Sequence, residues 1–254
     1  MAITIGVTLG WNSATKVIEA PVPPPGPWEH ATVVSVKRET MNAKTFRIAL
    51  SSPAIFLSGQ HYLVRLTAPD GYTATRSYSV ASAPDGTNEI ELTVERLEKG
   101  EVSPFLHDVI ESGDTFEVRG PIGGWFVWRG DSPVFLVGGG SGVVPLMSML
   151  RLARQKGCPE LVRILASVRS PRDLLYANEI MGPETTIVYT RAVPDGSART
   201  AGRLTVDDVA EKDIQGRSIY VCGSSNFANA ATSLLEEAGA IGATIRVERF
   251  GLSG

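Results

Sequence analysis

Pro133-Val134-Phe135-Leu136-Val137-Gly138-Gly139-Gly140-Ser141-Gly142-Val143-Val144-Pro145 passes from an apolar strand through a glycine run into an apolar helix. Such a junction puts free backbone N–H groups and the positive end of a helix where a diphosphate can sit. Pro145 falls in the first helical turn, where its missing N–H would have been unpaired anyway. It also stands where a dinucleotide fingerprint has a third glycine, so the match is imperfect. Taken alone, a run of this kind is as readily an ordinary tight turn.

Downstream of it, strands and helices alternate. Val134–Val137, Val162–Ala166, Thr186–Tyr189, Ser218–Val221 and Thr244–Val247 read as strands, with helices over Pro145–Gln155 and Phe227–Ala238 between them. That alternation predicts a parallel sheet with helices on both faces, whose ligands sit beyond the carboxyl ends of the strands. Upstream the texture is different. Thr32–Val36, Thr45–Leu50, His61–Thr67, Arg76–Val80 and Ile90–Glu95 read as strands, closely spaced and broken by Asp70-Gly71 and Asp85-Gly86 turns. With one helical interruption, Ser103–Ile110, they predict a small antiparallel barrel. Trp128 to Pro133 links the two regions. Before Trp28 lies a proline-rich leader, Pro21-Val22-Pro23-Pro24-Pro25-Gly26-Pro27, expected to be extended and stiff. The expected division is thus a leader over 1–27, a barrel over 28–128 and an α/β domain over 129–254.

Composition narrows the function. With 43% hydrophobic and 20% charged residues among 254, the chain is of the soluble globular kind. A net charge of −3 gives no electrostatic case for nucleic acid or an anionic membrane as partner. No apolar stretch is long enough to span a bilayer, and the first residues lack a secretion signal, so a cytoplasmic protein is expected. Two cysteines, Cys158 and Cys222, are too few for a four-cysteine iron–sulfur cluster. His30, His61 and His107 lack metal-ligand spacing and read as structural.

The remaining candidates lie in the barrel. Arg76-Ser77-Tyr78-Ser79 could bind a phosphate and stack an aromatic ring, although as residues alone they fit a half-exposed strand better. Alternation puts Arg76 and Tyr78 on one face and Ser79 on the other, so a shared ligand must lie along an edge or strand end. Gly100-Glu101-Val102-Ser103 offers a glycine turn and a helix start to an anion, with plain N-capping by Ser103 as the simpler alternative. Gly120-Pro121-Ile122-Gly123-Gly124 ends the barrel in a permissive backbone, either a turn or a place of close approach.

The ordered set Arg76-x-Tyr78-Ser79, Gly100-x-x-Ser103, Gly120-Pro121-x-Gly123, Gly138–Gly142 and Cys222-Gly223 resembles the ferredoxin–NADP(H) reductase superfamily, over nearly all of Trp28 to Gly251. The resemblance implies a FAD-binding barrel followed by an NAD(P)-binding domain. It implies that Arg76 binds the flavin phosphate, that Tyr78 packs on the flavin, and that Ser79 lies near flavin N5. Gly100 and Ser103 would hold the FAD pyrophosphate, with Ser77, Val94 and Val102 completing that set. Gly138, Gly139, Gly140 and Gly142 would bind the nicotinamide nucleotide's pyrophosphate, and Cys222-Gly223 would lie beside the nicotinamide. Glu248 and Phe250 match the family's terminal acid and aromatic, but the chain continues four residues past Phe250. The residues nearest the chemistry are then Ser79, Cys222 and Glu248.

In such an enzyme the side chains mainly position the two rings, because the hydride passes directly between cofactors. After the second strand of the α/β region, Ser167-Val168-Arg169 offers arginine before any acid, and Thr190-Arg191 ends the next strand. Arginine suits a 2′-phosphate, so NADPH is favoured over NADH. The expected function is an NAD(P)H-dependent flavin oxidoreductase that hands electrons to a separate ferredoxin-like or flavodoxin-like protein or an oxygenase component. A reductase of free flavin or small oxidants is the alternative, and a nucleotide-sensing or electron-relay subunit a further one.

Overall fold

A computed structural model describes residues 25–209 and 211–250. The leader expected over 1–27 lies outside them up to residue 24, as does the tail after Phe250.

The first half is antiparallel. Its strands are β1 (Glu29–Thr40), β2 (Ala43–Ala49), β3 (His61–Thr67), β4 (Thr73–Ser79), β5 (Glu89–Glu95) and β6 (Thr115–Ile122), with α1 (Val102–Asp108) before β6. They pair in the order β4-β3-β6-β1-β2-β5. A bridge between Val80 and Leu92 joins the two edges, so the sheet closes on itself as a barrel. The alternation that marks these strands is the reason for closure. Ala31 and Val33 of β1 point inward, as do Phe46 and Ile48 of β2 and Ile90 and Leu92 of β5. They meet Tyr62, Val64, Leu106 and Val118 in one core. Because that inner face is filled, a one-residue slip of any strand would expose its apolar set.

β6 is not among the strands read from sequence. It contains Gly120-Pro121, which looks like the end of the barrel, yet the strand runs on to Ile122. A Cβ on Gly120 would come within 2.5–2.8 Å of the Tyr62 ring. The glycine therefore lets β6 cross that ring while pairing continues, which is close approach and not a turn.

The second half is a parallel sheet of β7 (Val134–Gly139), β8 (Val162–Val168), β9 (Thr185–Tyr189), β10 (Ser218–Ser224) and β11 (Ile245–Phe250). Its order is β11-β10-β7-β8-β9, and every neighbouring pair is parallel. Three helices accompany it, α2 (Val143–Gln155), α3 (Glu211–Ile214) and α4 (Ser225–Glu237). β7 is apolar at every position because both of its faces are covered. Leu136 packs with Leu146, Met147 and Leu150 of α2, while Phe135 and Val137 pack with Ala228, Ala231 and Leu235 of α4. The chain moves outward on one side of β7 to β8 and on the other to β10. The carboxyl ends of β7 and β10 thus flank the switch point where α/β sheets bind ligands.

The link between the halves is packed. Trp128 is buried, its backbone N–H bonds the Ser58 carbonyl, and its indole N–H bonds the Ser132 carbonyl at 3.0 Å. Ala43, Ala81, Phe126 and Trp128 join the same core as Leu136 and α2. Among the described residues no helix is long and apolar enough to cross a membrane.

Candidate functional site

A cavity of about 530 Å³ runs between the halves. Its size is that of a site for a large organic ligand.

At the barrel end, Arg76, Ser77, Tyr78 and Ser79 all line it. β4 meets β5 only through the Val80–Leu92 bridge among the described residues, so beside Arg76–Ser79 its edge is open and a ligand can reach side chains of both faces. The Arg76 guanidinium donates to the Thr75 carbonyl at 2.8 Å and lies 3.6 Å from the Glu101 carboxylate. That brings it to the start of α1, where Gly100, Glu101, Val102 and Ser103 also face the cavity. Glu101, not Ser103, is the N-cap residue, and it makes no side-chain cap bond. The Ser103 hydroxyl instead accepts from the Leu97 N–H at 3.1 Å, which fixes the turn before the helix and leaves its proton free to donate. Val94 is buried in the barrel core and does not line the cavity.

Tyr78 and Ser79 of the barrel share the cavity wall with Glu248 and Phe250 of β11. Burial pushes the Tyr78 phenol up, against the opposing pull of Arg76. Burial also pushes the Glu248 carboxyl up to about 7, and its Oε2 has no hydrogen-bond partner among the described residues. A carboxyl left partly protonated and unpaired can donate to a ligand. His61 joins this region, opposite Ser79 in the β3–β4 register. The sequence reading made it structural, since spacing carries no trace of this pairing. Burial lowers its pKa, so it is neutral at pH 7.

At the far end, Gly139, Gly140 and Ser141 line the cavity as β7 turns into α2, and Gly140 takes a positive φ of 55°. Ser224 caps α4, accepting from the Phe227 N–H at 3.3 Å, so two helix starts converge here. This geometry explains the missing third glycine. Close packing of helix on strand is supplied by Gly138, whose added Cβ would meet Val143 and Leu146 at 2.9 Å, and by Gly142 against Cys222. Pro145 then has no close approach to provide. Gly138, Gly142, Cys222 and Gly223 lie behind the lining and do not form it. Cys222 is fully buried, in register with both Gly138 and Glu248, and burial followed by the Glu248 charge holds its thiol well above the usual range. Phe227 went unread in the sequence. Its ring lies over Gly139 and Gly223, where an added Cβ would come within 2.5 and 2.7 Å of it.

Ser167, Arg169 and Thr190 line the outer end, but Arg191 does not. The Arg191 backbone N–H bonds the Arg169 carbonyl at 2.9 Å, so both arginines leave adjacent strand ends. Asp173 also reaches the cavity, accepting from the Ser170 hydroxyl at 2.6 Å.

Two family comparisons fit this arrangement. Residues 30–127 match the oxidoreductase FAD-binding domain, and residues 136–233 match the oxidoreductase NAD-binding domain. The chain belongs to the ferredoxin reductase superfamily of FAD- and NAD(P)-binding oxidoreductases. It is 29% identical over 240 residues to the ferredoxin–NAD(P)(+) reductase component of the naphthalene 1,2-dioxygenase system of Pseudomonas putida, covering 90% of this chain and 71% of that one. It is 30% identical to the glycine betaine monooxygenase reductase subunit of Chromohalobacter salexigens, covering 86% of this chain but only 63% of that one. Among solved structures, the cytochrome P450 reductase of Amycolatopsis superposes with a TM-score of 0.73 at 26% identity, covering 89% of this chain and 70% of that chain. The FAD/NAD-binding domain of the Vibrio cholerae nitric oxide dioxygenase shares the fold, with a TM-score of 0.79 over 88% of this chain and 98% of that one, at 22% identity.

The unpaired Glu248 carboxyl makes a prediction about the oxidoreductase without cofactors. The folded state holds this proton more tightly than the unfolded chain does. Stability from it is therefore full below about pH 4.5 and is lost as pH rises through about 7. At about 1.4 kcal/mol per pKa unit the loss is at most about 3.5 kcal/mol. Urea denaturation of cofactor-free protein between pH 5 and 8 should show that decline. Glu248→Gln should flatten it, and an unchanged slope in the variant would assign the proton elsewhere.

Proposed function

We propose that this oxidoreductase takes hydride from a nicotinamide nucleotide and passes electrons through FAD to a separate acceptor protein, a ferredoxin or an oxygenase component. One observation supports it above the rest, namely the unbroken cavity from Arg76 and Ser103, past Ser79 and Glu248, to the glycine turn at 139–140. A flavin nucleotide and a nicotinamide nucleotide laid end to end need such a shape. The reductase components named above support the choice of acceptor. Bound FAD supplies the exchange between two-electron and one-electron chemistry.

The side chains of this chain then divide the work. Arg76 and the turn at Gly100–Ser103 hold the flavin's phosphates by charge and N–H donors. Tyr78 offers an apolar ring, and buried Ser79 a hydroxyl donor, to the flavin ring. Gly139–Ser141 and the α4 start offer N–H groups to the second diphosphate. Glu248 keeps a proton available near neutral pH, and Phe250 closes the apolar side. Cys222, behind this wall, fills the space between Gly138 and Glu248. Residues 28–128 and 129–254 serve as the working division of the chain. We place the reaction in the cytoplasm, where reduced nicotinamide nucleotides are held. Anaerobic addition of NADPH to the purified yellow protein should bleach its flavin spectrum. Protein that stays colourless after incubation with FAD would exclude the reading.

For the nucleotide we propose NADPH, on the strength of Arg169 in the cavity wall with Arg191 beside it. Asp173 favours a second reading, NADH, since a carboxylate there can accept from a ribose 2′-hydroxyl. Substitutions decide between them. Arg169→Ala, and more weakly Arg191→Ala, should lower kcat/KM for NADPH by about 10-fold while sparing NADH, or about 1.4 kcal/mol of selective binding. Equal losses with both nucleotides would remove the case for a 2′-phosphate site and leave Asp173 as the reader.

A further inference from the structure

Hydride transfer requires that the nicotinamide, carried by the parallel half, meet a flavin carried by the barrel. The hydride leaves the nicotinamide C4 with two electrons, which oxidises the nucleotide and reduces the flavin by the same two. Ring separation is then set by how the halves dock, and so by the docking contacts between them. They concentrate on α2, the helix that begins at the glycine turn.

Arg151, two turns into α2, is mostly buried and reaches across the divide. Its guanidinium donates to the Ala81 carbonyl at 3.0 Å and to the Glu91 carboxylate at 2.6 Å, both in the barrel half. The same fork pairs with Glu179 of its own half at 2.7 and 2.6 Å. Ser148, one turn earlier, donates to the Ser82 carbonyl at 2.6 Å and accepts at its own carbonyl from Ser58. Ala81 and Ser82 lie two and three residues after Ser79, which lines the cavity. The helix therefore grips the segment that sets Ser79 in place.

A third link is stranger. Tyr176 is the one non-glycine residue with positive φ among the described residues, at 55°, and it is fully buried. A conformation of that kind persists only where its surroundings over-determine it, and it marks functional sites more often than others. The Arg151 guanidinium stands 5.2 Å over its ring, and its hydroxyl donates to Thr93 of the barrel at 2.6 Å. Thr93 lines the cavity and shares a further bond with Thr45. Strain in the parallel half is thus held by a contact in the cavity wall of the other.

We propose that Arg151, with Tyr176 and Ser148, is a positioning lock that sets the distance between nicotinamide and flavin, and is not merely a stabilising ion pair. The inference rests on the hydride-transfer reading above. A buried pair of this sort is weak evidence for stability, because desolvation offsets much of its attraction. Its value lies in geometry, and a displacement of about 1 Å can cost on the order of 100-fold in such a reaction.

The test is Arg151→Met in flavin-loaded protein, with Arg151→Lys and Tyr176→Phe beside it. Three quantities are read, namely the dissociation constant for NADP+, the limiting rate of anaerobic flavin reduction, and the long-wavelength charge-transfer absorbance of stacked rings. Arg151→Met should keep flavin and bind nucleotide within about 2-fold, yet reduce flavin at least about 10-fold more slowly with a weakened charge-transfer band. Arg151→Lys, which keeps charge but not the fork, should fall between. A lower melting temperature with rate and band unchanged would make the cluster purely structural and overturn the proposal. Should Arg151→Met not fold, Tyr176→Phe decides, since it removes one hydroxyl only. A rate and band equal to the parent's in that variant would also overturn it. If the parent protein itself is not reduced by either nucleotide, the functional reading fails first, and the binding data show that separately.

Discussion

Gly142→Ala should severely destabilise the nucleotide-binding half. Gly142 has ordinary helical dihedrals, so backbone freedom is not what it supplies. An added Cβ there would overlap the Cys222 carbonyl oxygen and lie 2.5 Å from its carbon and 2.7 Å from the Gly223 Cα. Those are backbone atoms of central strand β10, which cannot swing aside as a flexible side chain could. Overpacking usually costs about 1–3 kcal/mol, and a rigid backbone contact belongs at or beyond the upper end. Against a total of about 5–15 kcal/mol, that is a large fraction of the fold. Gly140→Ala is the control. It meets nothing within 4 Å and pays only for its positive φ, about 1–2 kcal/mol. Urea midpoints should therefore rank the parent first, Gly140→Ala next and Gly142→Ala far below. The reverse order would mean that α2 does not press on β10 as described.

Arg76→Ala should leave the fold intact and strip the flavin. Among the described residues its side chain holds only the neighbouring Thr75 carbonyl and an exposed Glu101, so little stability rests on it. A charged hydrogen bond to a phosphate contributes about 1.5–3 kcal/mol, so FAD should bind about 10- to 100-fold more weakly. The purified variant should lose its yellow colour on dialysis while its nucleotide affinity and apo melting temperature stay at the parent values. Retention of flavin at the parent level would move the phosphate site away from β4.

Most of the architecture was legible because both sheet types write their burial into the sequence. The barrel strands alternate, and β7 is apolar throughout, and each pattern follows from how many faces are covered. β6 escaped because Gly120-Pro121 imitates a strand end, and only the Tyr62 ring reveals why a glycine is needed in mid-strand. At the site, glycines and arginines near strand ends could be read locally. Phe227, His61 and Asp173 could not, since each reaches the cavity through a tertiary placement that spacing does not encode. Ser103 shows the opposite error. Its position suggested a cap, but the hydroxyl is turned back to Leu97, three residues before the glycine turn.

The apolar interior beneath α2 does not stop at the boundary between the halves. Ala43, Ala81, Phe126 and Trp128 of the barrel side are as much a part of it as Leu136 or Met147. Neither half alone could bury that surface, so each supplies part of the other's folding energy. For recombination, natural or engineered, the heritable unit is then the pair. A foreign nucleotide-binding half joined at Trp128 would arrive with an ill-fitting floor, even if every cofactor contact were preserved.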